Sequence, residues 1–270
     1  TRSYSVTEFR RVLFRSTWQR RAGKPPASEF WPGLIAQVKQ AHPGFQFLAE
    51  VYWDMEAELL AQGFDSCYDK RLYDHLLAGD ADALWQHLHG LGSHCEQMTH
   101  FIENHDERRA AQVFAGRQQG AALACFSVPG AKLFHEQQFQ GWQERLPVFL
   151  RRRPTETNDA ACVVFYRELL SALQAADLRH AEWQLCPSTQ GALIGWGWQG
   201  RAGRWLVLVN LSARRVRSRL QLPWADLAGR TWHFSDRLQA FSARRSGSSL
   251  QKEGLFVDLA AWQARLLKIE

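Results

Sequence analysis

The stretches FLAEVYW, residues 47–53, and HFIENHDE, residues 100–107, share one layout: a short apolar run breaks off into polar, reactive side chains. Phe47 and Leu48 lead to Glu50, and Phe101 and Ile102 lead to His105 and Asp106. A brief apolar run bounded by polar residues reads as a buried strand. Where such strands run parallel, the residues just past their C-terminal ends face the site of chemistry. Taken alone each stretch says little, because a glutamate near a strand end is more often ion-paired and Asn-His-Asp is common in turns and helix caps. Order along the chain carries the information.

Outward from these stretches the pattern is regular. Ser28 caps a helix whose apolar face is Trp31, Leu34, Ile35 and Val38, closed by Pro43 and Gly44 before a strand over 45–51. A helical stretch over 54–60 stops at Gly63, and a second strand follows at 64–68. Helices over 72–77 and 81–91, the latter capped by Asp80, lead to a third strand over 98–103. The next helical region, 108–126, is expected to break at Gly116 and Gly120, and Pro129-Gly130 introduces a fourth strand over 131–135. A last helix carries Cys162, Phe165, Tyr166, Leu169, Leu170 and Leu173 at intervals of three and four, an amphipathic stripe. Strands alternating with helices imply an α/β fold of parallel βα units.

The character changes near Asp177, where tryptophan, glycine and arginine dominate and alternation of period two begins. Residues 193–198, the QGRAG turn and residues 204–211 read as a β-hairpin; Val216, Leu220 and Leu222, then 255–259 and 264–269, extend the pattern. The expected division is therefore residues 17–176 as an α/β unit and 177–270 as a small antiparallel β-sandwich. Residues 1–16 have no caps, no sustained periodicity and no partner for Phe9, Val12, Leu13 and Phe14; they resemble a translated sequencing adapter and are set aside as artefactual.

Composition excludes several classes. Hydrophobic residues make up 46% of the 270, enough for a large core, yet the longest apolar runs are far short of the roughly 20 residues that cross a bilayer, so no membrane partner is expected. Half of the formal charge of +6 comes from residues 1–16, with four arginines against Glu8, and no aromatic-basic interleaving accompanies the remainder, so no nucleic-acid partner is expected. Five cysteines, odd in number and mostly in apolar runs, read as buried thiols and favour a cytoplasmic compartment. His87, His89, His94 and Cys95 fit no familiar zinc spacing; no metal and no cofactor is expected. The Asn210-Leu211-Ser212 sequon sits at a strand end and is read as chance. The sequence is silent on a partner subunit.

An acid at one strand end, a His-Asp pair two strands later, then Pro-Gly and a short strand ending in Phe134-His135-Glu136 resembles the last four strands of the α-amylase barrel, family 13 of the glycoside hydrolases. The resemblance covers roughly residues 30–173, and the β-rich part matches the family's C-terminal domain by position and character. It implies a partial (β/α)8 TIM barrel, strands five to eight, followed by a small antiparallel β-domain. It implies that Glu50 is the general acid/base of a retaining reaction, that Asp106 stabilises the transition state, and that His105 binds sugar hydroxyls. Trp53 is placed either to stack on a sugar ring or to serve as a core aromatic. The implied partner is an α-glucan or oligosaccharide. The family's aspartate nucleophile, at the fourth strand, has no counterpart before Ser28, so a chain of this extent is expected to be inactive alone. Two other readings compete. One is a non-catalytic amylase-fold interaction protein, against which the joint presence of Glu50, His105 and Asp106 argues. The other is a carbohydrate-binding protein using Trp183, Trp196, Trp198 and Trp205.

Overall fold

The computed structural model describes residues 20–24, 28–52, 54–150, 152–153, 155–188 and 191–270. Residues 1–16 and Trp53 therefore lie outside the described residues. Four short strands, β1 (Leu48–Ala49), β2 (Ser66–Tyr68), β3 (Met98–His100) and β4 (Ala131–Lys132), form a parallel sheet in chain order. Its register runs from Ala49↔Cys67 through Tyr68↔Thr99 to His100↔Lys132. All four are the strands read from the sequence, although each pairs over two or three residues only.

Two helices open without a side-chain cap: α1 is Phe30–Ala41, whose N-cap is Glu29 rather than the expected Ser28, because the helix starts one residue too late for Ser28 to cap it, and α2 is Glu56–Ala61. α2 starts later than its periodicity suggests because Asp54 takes a left-handed φ of 63°. α3 (Lys70–Ala78) opens on Asp69, whose carboxylate accepts from Leu72 N, and stops at left-handed Gly79; α4 (Ala81–Leu91) opens on Asp80 in the same manner. The region 108–126 divides into α5 (Ala110–Val113) and α6 (Gln118–Phe126) around Gly116. Gly120 interrupts nothing. It lies inside α6, where a Cβ would stand 3.0 Å from the carbonyl oxygen of Trp262, so its role is close packing. α7 (Ala160–Ala176) is capped by Asp159 and ends at Asp177.

From there the chain is mostly β. Strands β5 (Glu182–Cys186), β6 (Leu193–Gly200), β7 (Gly203–Asn210), β9 (Thr231–Asp236), β10 (Ser242–Ser246) and β12 (Ala264–Ile269) form an antiparallel sheet in the order β10-β9-β12-β7-β6-β5. A two-stranded antiparallel ribbon of β8 (Val216–Leu220) and β11 (Leu255–Leu259) covers one face, and a short helix α8 (Gly247–Glu253) precedes β11. Strands β5, β9 and β10 were missing from the sequence reading; of these, SARRS in β10 is a polar edge strand with no apolar alternation to betray it.

Both faces of the six-stranded sheet are buried, which explains the unbroken apolar runs of β6 and β7. Trp205, Val207 and Val209 join the helical core, while Leu206 and Leu208 pack with Val216, Leu220, Trp232 and Val257 beneath the ribbon. Trp196 and Trp198 lie on the helical side and both donate their indole N–H to Ser127 O, at 3.1 and 2.8 Å. These buried tryptophans, with Trp205, offer no platform to a sugar. Asn210 is fully buried and donates to Arg214 O and Ala260 O, so the sequon is spent on structure. No helix among the described residues is long and apolar enough to cross a membrane.

One polar network lies within this core. Asp69 accepts from Leu72 N at 2.9 Å, meets His87 Nε2 at 2.8 Å and lies 3.1 Å from His100 Nδ1. His87 thus has a carboxylate partner, His89 stacks on Trp85, and His94 meets Gln97. Burial pushes the Asp69 carboxyl up, but hydrogen bonds and charge from His100 and His87 outweigh it and hold it well below the ordinary carboxylate range. A depressed folded pKa gives stability that is present above the unfolded value and lost as pH falls through the folded one. Asp69→Ala is expected to cost about 3 kcal/mol at pH 7, since it strands two buried partners. The gap from the parent should shrink below about pH 4, where the unfolded carboxyl protonates; thermal unfolding of both proteins from pH 7 to 3 measures it.

Candidate active site

Glu50 is the first residue past β1. Strand alternation sends Ala49 and Val51 into the cluster with Ile35, Phe64 and Met98, so Glu50 points to the opposite face. Tyr52, two residues on, shares that face, and its hydroxyl donates to Glu50 Oε1 at 2.8 Å.

The second group comes from the turn after β3. Phe101 and Ile102 are fully buried and anchor the strand end. Asn104 then folds its side chain back: Oδ1 accepts from the backbone N–H of Asp106 and of Glu107, both at 2.9 Å. This side-chain turn reverses the chain and projects His105 and Asp106 outward. His105 Nε2 lies 3.6 Å from Asp106 Oδ1 and 3.9 Å from Glu50 Oε1. One ligand atom from each of Glu50, His105 and Asp106 falls within 4.8 Å of the others, the one such grouping found among the described residues. The spacing would also suit a cation. Two carboxylates bridged by an imidazole at a strand-end mouth suit equally a substrate that needs a proton donor and a negative charge close together.

Beneath the turn a buried ion pair fixes its base. Glu103 and Arg109 are both almost fully buried, with Nη2 3.2 Å from Oε1, and Glu103 Oε2 also accepts from Ala110 N. Arg109 donates Nη1–H to His135 Nδ1 at 2.6 Å and Nη2–H to Glu136 O at 2.6 Å, tying the loop after β4 to the turn after β3. Since a guanidinium only donates, Nδ1 of His135 accepts and its neutral ring carries the proton on Nε2.

The carboxyl groups differ in environment. Burial raises the pKa of Glu50, the hydrogen bond from Tyr52 and the nearby His105 oppose the rise, and the charge of Asp106 adds to it. Tyr52 is driven far above the ordinary phenol range by burial and by Glu50, so it stays a hydroxyl donor. The sequence reading named Glu50, His105 and Asp106 and did not foresee the bond from Tyr52. The Glu-x-Tyr spacing, which puts both on one face of extended chain, was the available signal.

No protein-family model matches this sequence, and no curated protein matches it. Solved structures do. The chain is similar to a maltogenic α-amylase from Thermotoga neapolitana, with a TM-score of 0.70 at 17% identity, over 95% of this chain and 64% of that one. It is similar to an α-amylase from Geobacillus thermoleovorans complexed with acarbose, with a TM-score of 0.70 at 16% identity, over 96% and 63%. A debranching enzyme from Nostoc punctiforme soaked with acarbose gives 0.67 at 14%, over 91% and 54%. At these identities the likeness is one of fold, and the chain spans between 54% and 64% of these relatives.

The site makes a prediction that needs no turnover. Tyr52→Phe removes a hydrogen bond that favours the carboxylate and should move the Glu50 titration upward, whereas Asp106→Asn removes a repelling charge and should move it downward. Carbon-detected NMR of the Glu50 carboxyl across a pH series reads both shifts; equal or same-sign shifts would mean that the two groups do not face Glu50 in solution.

Proposed function

We propose that this chain is part of a retaining glycoside hydrolase or transglycosidase of the α-amylase type, acting on α-glucosidic linkages of α-glucans or maltooligosaccharides. The observation that carries the proposal is the single cluster at the strand ends: a half-buried Glu50 of raised proton affinity, with Asp106 and His105 across from it. The amylase-like fold adds support; one of the similar enzymes is complexed with acarbose and another was soaked with it.

In this reading residues 17–176 are the last four βα units of a (β/α)8 barrel and residues 177–270 a β-sandwich domain. The exposed apolar side chains Phe30, Phe45 and Leu48 on and before β1, an edge strand among the described residues, agree with a sheet that continues beyond it. Five buried free thiols agree with a reducing, cytoplasmic compartment.

The chemistry follows from the carboxyl environments. Cleavage of a glucosidic bond passes through an oxocarbenium-like transition state: the departing oxygen needs a proton, and the ring needs negative charge. Glu50, whose proton affinity is raised by burial, gives a proton to the departing oxygen and later takes one from the incoming water or sugar hydroxyl. Tyr52 holds the carboxyl in place. Asp106 remains as charge to stabilise the cationic ring, and His105, between the carboxylates, donates to sugar hydroxyls. The nucleophile that completes a double displacement is an aspartate contributed from outside these residues.

Two outcomes follow. The 270-residue chain should show no turnover of starch, maltooligosaccharides or an aryl α-glucoside, and clear turnover by a stable monomer would mean that the nucleophile lies within it. In a longer chain that supplies the aspartate, Glu50→Gln should lower turnover of unactivated glucans by about 10²–10⁴-fold while largely sparing the first step with an activated aryl or fluoride donor. Equal loss on both substrate types would reassign Glu50 to structure.

A further inference from the structure

The loop between β4 and α7 carries four acidic residues, and three are consumed in holding it. Asp159 caps α7 by accepting from Ala161 N and Cys162 N. Glu156 accepts from Gln143 N at 2.7 Å and Glu144 N at 3.0 Å, closing the loop across its neck. Glu136 pairs with Arg153, whose guanidinium also lies 4.4 Å from the ring centre of Trp142, and Trp142 in turn donates to Asn158. Arg109, the buried cation below, is neutralised by Glu103.

This accounting leaves Arg145 and Arg152 with no carboxylate partner among the described residues, against one uncommitted acid, Glu144. All three line a pocket of about 290 Å³ whose other wall is His105 and His135, with Leu146, Pro147 and Val148 supplying an apolar side. The volume lies near the lower end of small-molecule sites, roughly 300 to 1,000 Å³. His105 belongs to both places, lining this pocket while its Nε2 stands 3.9 Å from Glu50. The pocket therefore opens beside the carboxylate cluster.

Unpaired guanidiniums can donate to the hydroxyls of a neutral sugar but find no opposite charge in it. They are good partners for phosphate or carboxylate, which accept two parallel N–H bonds from one arginine. Glu50 and Asp106 would repel an anionic substrate unless cations stood near its charged group. We propose that this pocket is a subsite for the anionic group of a phosphorylated or carboxylated sugar, held by Arg145 and Arg152. The proposal rests on the glycosidase reading for the role of Glu50 and deepens it by naming the substrate: a glucoside whose sugar beyond the scissile bond carries a negative charge.

The test is calorimetric titration of the 270-residue chain with glucose 6-phosphate, glucuronate, glucose and inorganic phosphate, repeated on Arg145→Ala, Arg152→Ala and the double variant, each checked by thermal unfolding. Glucose 6-phosphate should bind at least about 10-fold more tightly than glucose, and the double variant should lose that margin while binding glucose as before. A Lys pair at the same positions, which keeps charge without the fork, should recover only part of it. The glucuronate arm separates a carboxylate from a phosphate as the natural group. Equal binding of charged and neutral sugars, a margin that survives in the double variant, or inorganic phosphate binding as tightly as glucose 6-phosphate would overturn the proposal. If neutral maltose still perturbs the Glu50 and His105 resonances in that case, the glycosidase reading stands without this subsite. If the arginine-dependent margin is found but a longer chain has no glycosidase activity, the pocket stands and that reading fails.

Discussion

The burial of α6 on every side is the constraint from which most of this structure follows. Gly120 through Phe126 are all buried, because the helix packs against β7 and β12 of the six-stranded sheet and against α3, within one core cluster that also holds Tyr68, Phe101 and Ile102 at the ends of the parallel strands. Such a helix cannot be amphipathic, and AALACF is accordingly small and apolar throughout. Its neighbour strands must be apolar on both faces for the same reason. Small residues let the layers approach: Gly120 admits the backbone at Trp262, and Gly79 admits the Trp262 ring and Leu211 O. The two indole bonds to Ser127 O at the end of α6 then fix the register between the layers.

A rigid layer beneath makes a precise rim above. The parallel strands end on one side, and the residues just past β2 and β3 are held by buried polar side chains. Asp69 caps α3 and engages two histidines, Glu103 pairs with Arg109, and Asn104 closes a turn on its own backbone. These groups have little freedom, since each buried polar atom left unpaired costs about 1 to 3 kcal/mol. His105 and Asp106 inherit their position from that network. Glu50 inherits its own from strand alternation and from Tyr52.

Electrostatics divides the rim into two regions. Around Glu50 and Asp106 the neighbours are carboxylates and a phenol, and burial favours the protonated glutamate. Across His105 the loop after β4 presents Arg145 and Arg152, which have no carboxylate partner among the described residues, because three of the loop's four acids are engaged in shaping it. A half-buried carboxyl and an arginine-lined pocket thus lie on either side of one imidazole.

The sequence by itself determined the order and type of the parallel strands, the helix cap at Asp80, and the candidates Glu50, His105 and Asp106, because each depends on neighbours within a few positions: an apolar run, a capping acid, a polar break. It also marked the change near Asp177, where the period of the apolar pattern passes from helical to alternating. Strand β10 escaped it, since a polar edge strand is defined by its partner and not by its own side chains. So did the role of Gly120, which is set by a carbonyl from Trp262 far along the chain. The approach of His105 to Glu50, and the lack of a carboxylate partner for Arg145 and Arg152 among the described residues, were likewise decided only by the tertiary structure. The physical reason is common to all of these: hydrogen bonds and charge pairs act over a few ångströms of space, and only folding sets which residues distant in sequence come within that range.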